Sequence, residues 1–158
     1  MRVWKYGDDV NTDMLFPGKY TYTCSTPEEV VPHLLEDLDP EFAGAVSPGD
    51  IVMAGKNFGC GSSREQPVLG LKAVGVAAVV AEGFARTALD RKSVVIEAPE
   101  AVRAYGEGDE VALDVEGGRI TIAGRVFGFP ALPPEILAIR DAGGLLAYAR
   151  GKLEGGER

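Results

Sequence analysis

Cysteine, histidine and positive charge are all scarce in this 158-residue chain, and each scarcity excludes a class of function. The two cysteines, Cys24 and Cys60, allow one disulfide at most, form no CxxC pair, and are expected to stay reduced in a cytoplasmic protein. Together with His33, the single histidine, they fall short of the roughly four ligands that a zinc ion or an iron–sulfur cluster takes. No metal site is therefore expected on this chain, and any metal it works with must come from elsewhere. Against 24 acidic residues there are only 16 basic ones, a formal charge of −8 with no compensating basic patch, so no nucleic-acid role is expected. Long apolar runs are missing too. The opening MRVWKYGDD lacks a signal-peptide pattern, and the richest apolar stretch, 74–81, is broken by Gly75 and too short to cross a bilayer. The expectation is a cytoplasmic protein with no membrane partner.

What is present describes one folded domain. An apolar fraction of 46% and a charged fraction of 25% are ordinary for a globular chain, and a domain of this length buries roughly 70% of the surface its unfolded chain exposes. A single domain is expected over 1–151, with a frayed tail over 152–158. Residues 2–6 alternate polar with apolar as a short strand does, and GDDVNTD has the Asp, Asn and Thr density of a turn. After the loop LFPGKYTYTCST, Thr26-Pro27-Glu28-Glu29 has a helix-start pattern, which predicts a helix over about 27–38. IVMAG reads as a buried strand, 65–74 as a helix with Val68, Leu69, Leu71 and Val74 on its apolar face, and VAAVVAE as a second buried strand. A weaker helix is expected over 85–89, a strand at SVVIEA, an antiparallel hairpin over 109–122 turning at Gly117-Gly118, and a proline-led helix from LPPE onward. The fold class is α/β.

The chemistry concentrates in GCGSSRE, residues 59–65, between the first buried strand and the helix that follows. Gly59 and Gly61 let the backbone turn sharply and approach a ligand, two hydroxyls follow, and a guanidinium sits where the helix begins. Such a loop suits an anion, because helix-start N–H groups favour a carboxylate or phosphate and Arg64 can grip a carboxylate through two parallel hydrogen bonds. No GK[ST] follows, so it is not a Walker loop. Ser62 or Ser63 could instead cap the helix, with Glu65 or Gln66 completing the box and Arg64 in a surface ion pair. A nucleophilic serine would need a histidine base, and nothing in the sequence brings His33 near. Cys60, between its glycines, reads as loop packing.

The segments DDVNTDMLFPGKYTYT, AGKNFGCGSSRE, VVAEGFAR and LPPEILAIRDAGGL resemble, in that order, the landmarks of the aconitase superfamily, specifically small subunits of isopropylmalate isomerases and homoaconitases. The resemblance spans most of the chain, and it is carried by the combination of GSSRE with the N-terminal TD and the later FAR. It implies a swivelling β/β/α domain, like the mobile domain of aconitases, docked on a large subunit that holds a 4Fe–4S cluster, in a heterodimer or heterotetramer. No cofactor is implied on this chain itself. The activity implied is a hydro-lyase that isomerises a 2- or 3-hydroxy di- or tricarboxylic acid by dehydration and rehydration.

By the same resemblance Ser62 is the base that removes a proton next to a carboxylate, while Ser63 and Arg64 hold substrate carboxylates. Gly59 and Gly61 shape the loop. Asp13 supports the site by pairing with a group on the large subunit, unless it is a plain turn aspartate. Lys19, Tyr20, Thr21, Tyr22 and Thr23 match the segment that meets the variable side of the substrate, unless the tyrosines merely pack the loop. Relatives that bind a distal carboxylate carry arginine where this chain has Tyr22, which favours 3-isopropylmalate over homoaconitate or a methylated malate. Relatives also read REHAP where this chain reads Arg64-Glu65-Gln66-Pro67-Val68, and an RN…N-G pattern where it reads TALDRKSVVIEAP after Arg86. A stand-alone carboxylate-binding module, which would need no partner, and an assembly protein that has lost its chemistry are the readings from other classes. Isolated from a partner, the chain could form a homo-oligomer.

Overall fold

In β2 (Ile51–Ala54) all four residues are buried, and successive side chains of a strand point to opposite faces. Val52 and Ala54 enter one hydrophobic core, Ile51 and Met53 a second. The same division recurs in β3 (Ala78–Ala81), with Val79 and Ala81 in the first core and Ala78 and Val80 in the second. Burial on both faces explains why IVMA and AVVA show no polar alternation. The computed structural model describes residues 1–85 and 94–131 and, beyond them, Pro134, Ala138, Ala142, Tyr148, Arg150 and Lys152.

With β1 (Val3–Lys5) and β4 (Val95–Glu97) these strands form a parallel sheet in sequence order, in registers such as Trp4 with Val52, Val52 with Val79 and Val80 with Ile96. Four short helices cover the first core: α1 (Thr12–Leu15), α2 (Pro27–Val30), α3 (Phe42–Ala45) and α4 (Gln66–Ala73). They contribute Leu15, Val30, Phe42, Val68 and Leu71. The second core lies beneath α5 (Pro99–Ala104) and an antiparallel sheet of β5 (Val111–Asp114), β6 (Arg119–Ile122) and β7 (Arg125–Gly128), which contribute Ala101, Val102, Val111, Ile120 and Ile122. Antiparallel sheet, parallel sheet and helices make the three layers of the expected β/β/α class. Among the described residues no helix is long and apolar enough to cross a membrane.

The expected strands and the hairpin are present, and its turn includes Gly118 at φ +63°. The helix expected over 27–38 is shorter. α2 passes into a 3-10 turn at Val31–His33, then Leu34 is extended and Leu35 adopts φ +55°. Pro32 contributes no N–H to continue a helix, and the break buries both Leu34 and Leu35. The stretch read as a turn contains α1, capped by the Asn11 side chain, which accepts the N–H groups of Asp13 and Met14. None of α3, α5 and β7 was expected from the sequence. The helix over 85–89 lies outside the described residues beyond Ala85, as do most of the proline-led helix and of the tail; Arg86 and the segment to 93 are likewise outside them.

Asp50 ties the start of the sheet together. It is 3% exposed and accepts the Arg2 N–H at 2.7 Å, the Ser47 N–H at 3.0 Å and the Trp4 indole N–H at 3.1 Å. Burial pushes its carboxyl pKa up, but these donors outweigh burial and hold it below the ordinary aspartate value. A lowered native pKa contributes stability that is full above the unfolded value of about 4 and is lost as pH falls through the native one. Asp50→Asn, which sets an amide against at least one donor, should cost about 2 kcal/mol at neutral pH, with the difference shrinking below about pH 4; urea unfolding across pH measures it.

Gly70 poses a contest of signs. Alanine usually stabilises a helix interior by about 1 kcal/mol over glycine, yet a Cβ here would lie 2.5 Å from Leu34 Cδ2. Leu34 is 1% exposed, so it can yield only by displacing other core side chains. Overpacking costs about 1–3 kcal/mol, so Gly70→Ala should lower the urea midpoint; a raised midpoint would show that Leu34 can yield.

Candidate active site

Backbone pairing continues past the ends of β1 and β2. Gly55 N–H donates to Gly7 O, Asp9 N–H to Lys56 O, Gly59 N–H to Val10 O and Thr12 N–H to Cys60 O, at 2.8–3.0 Å. Side chains add rungs: Asp8 Oδ1 accepts the Lys56 N–H at 2.8 Å, and Asp9 Oδ1 accepts the Asn57 amide at 2.8 Å. Asp9 and Asn57 both sit at positive φ, 57° and 59°, where Asn and Asp are tolerated better than most residues. Gly59 and Gly61 turn the chain at φ +75° and +105° and present Ser62 and Ser63 to solvent.

The serines do not cap the helix. α4 begins after Glu65, with no side-chain hydrogen bond at its cap. The Ser62 N–H donates to Thr12 Oγ1 at 3.1 Å, so this amide is not free for a ligand. The same oxygen accepts Arg64 Nη2 at 3.3 Å. Arg64 Nη2 also donates to Asp13 Oδ1 at 2.7 Å, and Nη1 donates to Thr21 Oγ1 at 3.1 Å. Gln66 Nε2 donates to Thr21 O at 3.1 Å. The arginine side chain is 12% exposed, and its Nε is buried with no partner. Asp13, expected to meet a group on a large subunit, here meets Arg64 of its own chain.

The 19–23 loop splits in two. Thr21 reaches the arginine, whereas Lys19 turns to Glu36 at 2.7 Å and Tyr20 stacks on His33 with ring centroids 3.8 Å apart. His33 Nδ1 lies 2.8 Å from Glu36 Oε2. The Glu36 carboxyl is held below its ordinary pKa, first by Lys19 and then by His33, while Lys19 is raised by Glu36. Thr23 Oγ1 donates back to Tyr20 O, and Tyr22 is 99% exposed. With its ring engaged by Glu36 and Tyr20, His33 makes no hydrogen bond to Ser62 among the described residues, which weighs against a serine–histidine pair.

Cys24 is buried beside Thr23, and the Cys60 thiol points at Asp9 O from 3.8 Å. Among the described residues no three His, Cys, Asp or Glu side chains converge as a metal site. The structure also brings in Thr12, which was not expected at the site, and Gln66, which was weighed only as a helix-capping residue and instead holds Thr21. A threonine in NTD reads as a turn residue, and only the fold reveals that its hydroxyl is buried between Ser62 and Arg64.

Residues 11–88, which include this whole cluster, match the family model of the aconitase C-terminal domain. The 3-isopropylmalate dehydratase small subunit of Aquifex aeolicus is 45% identical across 96% of this chain and 94% of its own length. The chain belongs to the family of 3-isopropylmalate dehydratase small subunits. Another relative, the isopropylmalate/citramalate isomerase small subunit of Methanocaldococcus jannaschii, is 42% identical over 96% of this chain and 94% of its own. The crystal structure of a 3-isopropylmalate dehydratase from Methanocaldococcus jannaschii has a TM-score of 0.84 at 35% identity, covering 99% of this chain and 96% of that one.

The Asp13–Arg64 pair joins an exposed carboxylate to a mostly buried guanidinium. Asp13→Ala should cost about 1 kcal/mol, and the deficit should narrow at high salt because Asp13 is 70% exposed. Thermal unfolding at low and high ionic strength checks this.

Proposed function

We propose that this chain is the small subunit of a 3-isopropylmalate dehydratase, a hydro-lyase that moves a hydroxyl to the neighbouring carbon by removing and re-adding water. The observation that carries the reading is the exposed Ser62–Ser63 pair beside an arginine already oriented by Asp13, Thr12 and Thr21. Such a surface is half of a site. A large partner subunit completes it, and the 4Fe–4S cluster of this enzyme type, which acts as a Lewis acid, belongs to that partner.

On this chain the work is binding, orientation and proton removal. Ser62 takes the proton next to a carboxylate, while Ser63 and Arg64 hold carboxylate oxygens. A serine hydroxyl is a very weak base, so its deprotonated form needs a preorganised, positive and water-excluded setting. Arg64 and the N-terminal end of α4 supply positive potential, and docking of the partner over the exposed serines excludes water.

The 19–23 loop favours an alkyl-bearing substrate. Lys19, its one cation, is paired with Glu36, so the loop offers the Tyr22 ring and hydroxyls instead of a free charge for a distal carboxylate. That matches the isopropyl group of isopropylmalate. A methylated malate is the second reading, favoured by the citramalate in the name of the Methanocaldococcus jannaschii relative.

Co-purified anaerobically with its large subunit, the chain should turn over isopropylmalate, followed by absorbance of the unsaturated intermediate, and Ser62→Ala should lower kcat by about 10²–10⁴-fold. Undiminished activity in Ser62→Ala removes the serine from the mechanism. Turnover of homoaconitate or citraconate in preference to isopropylmalate reassigns the substrate.

A further inference from the structure

Thr12 and Asp50 are the two polar side chains buried most completely among the described residues, and Asp50 belongs to the sheet. Thr12 belongs to the serine loop. Its N–H donates to Cys60 O, and its Oγ1 accepts the Ser62 N–H, so it grips the loop on both sides of Gly61. A Cβ on Gly61 would lie 2.9 Å from that oxygen, so the close approach depends on glycine. Arg64 Nη2 is the second donor to Oγ1, and two acceptor sites are what a threonine hydroxyl has.

Of the three ties of Arg64 the one to Thr12 is the longest, 3.3 Å against 2.7 Å to Asp13 and 3.1 Å to Thr21, but it alone ends on a buried side chain. Asp13 is 70% exposed, Thr21 sits on a surface loop, and Nε has no partner to stop rotation about the chain axis. We infer that Thr12 is a positioning residue of the hydro-lyase site: one buried oxygen fixes the Ser62 backbone and the Arg64 guanidinium against each other, which sets the distance between base and carboxylate grip. The inference rests on the proposed roles of Ser62 and Arg64. Removing the oxygen takes the acceptor from the Ser62 N–H and one of the two acceptors from Arg64 Nη2, which keeps Asp13, and a shift of about 1 Å in a reacting group can cost on the order of 100-fold in rate.

Two near-isosteric changes separate positioning from packing. Thr12→Ser keeps the oxygen and loses a methyl; Thr12→Val keeps the shape and loses the oxygen. In the two-subunit enzyme, Thr12→Ser should hold kcat within about threefold, while Thr12→Val should lower kcat by at least about thirtyfold and also raise KM, because Arg64 loosens too. Asp13→Asn, which frees only the arginine, should raise KM more than it lowers kcat. In the isolated chain, amide hydrogen exchange at Ser62 should be slow in the parent and Thr12→Ser and fast in Thr12→Val. Thr12→Val with parental kcat overturns the inference, as does equal loss in both variants or a loss explained by failure to bind the partner. Should the parent turn over none of the hydroxy acids, the proposed function fails by itself. Ser62 exchange then decides the positioning, and equal rates in all three proteins overturn it whatever the activity.

Discussion

Parallel pairing between the segment that starts at Val3 and the one that starts at Ile51 constrains everything around the serine loop. The pairing begins in the sheet and continues through Gly7, Asp9 and Val10 to Thr12, well past the last residues of the strands. Parallel strands cannot be joined by a tight turn and need a long crossover. In this chain that crossover carries α1, α2, α3 and the 19–23 loop, so the same connection that closes the first core also delivers Thr12, Asp13 and Thr21 to Arg64. The serines emerge beyond the carboxyl end of β2, where open parallel sheets commonly place their ligand sites.

Holding a polar cluster at such an edge has a conformational cost. Asp9 and Asn57 occupy left-handed backbone, and the Arg64 Nε is buried without a partner. Each is a local cost that persists only where surrounding contacts over-determine the geometry. Here the Asp9–Asn57 hydrogen bond joins the two strained residues to each other, and the buried oxygen of Thr12 sits where the loop turns. Asp50 plays the corresponding role at the opposite end of the sheet, where one carboxylate gathers donors from β1 and from the turn before β2.

Where sequence and structure agree, the signal is a local one. IVMA lies between Asp50 and Gly55, AVVA sits in an apolar run between Gly75 and Glu82, and the 109–122 hairpin carries its own turn glycines. The overlong helix at 27–38 failed because its start pattern says where a helix begins and not where it ends, and past Pro32 the core buries Leu34 and Leu35 side by side in a non-helical conformation. β7 escaped notice because RVFG is short and mostly exposed, with no alternation that separates it from loop. At the site, glycine spacing and the serine–arginine order were legible, but partnerships across fifty residues were not. Asp13 and Thr12 reach Arg64 only through the parallel pairing, and Lys19 is drawn away by Glu36, which nothing near it in sequence announces.

The two cores share no buried side chain among the described residues, because the parallel sheet stands between them. A change in packing under the antiparallel sheet therefore reaches the helical side only by shifting the backbone of β2 or β3, so the parallel sheet acts as a mechanical partition between the antiparallel layer and the layer that carries the serine loop.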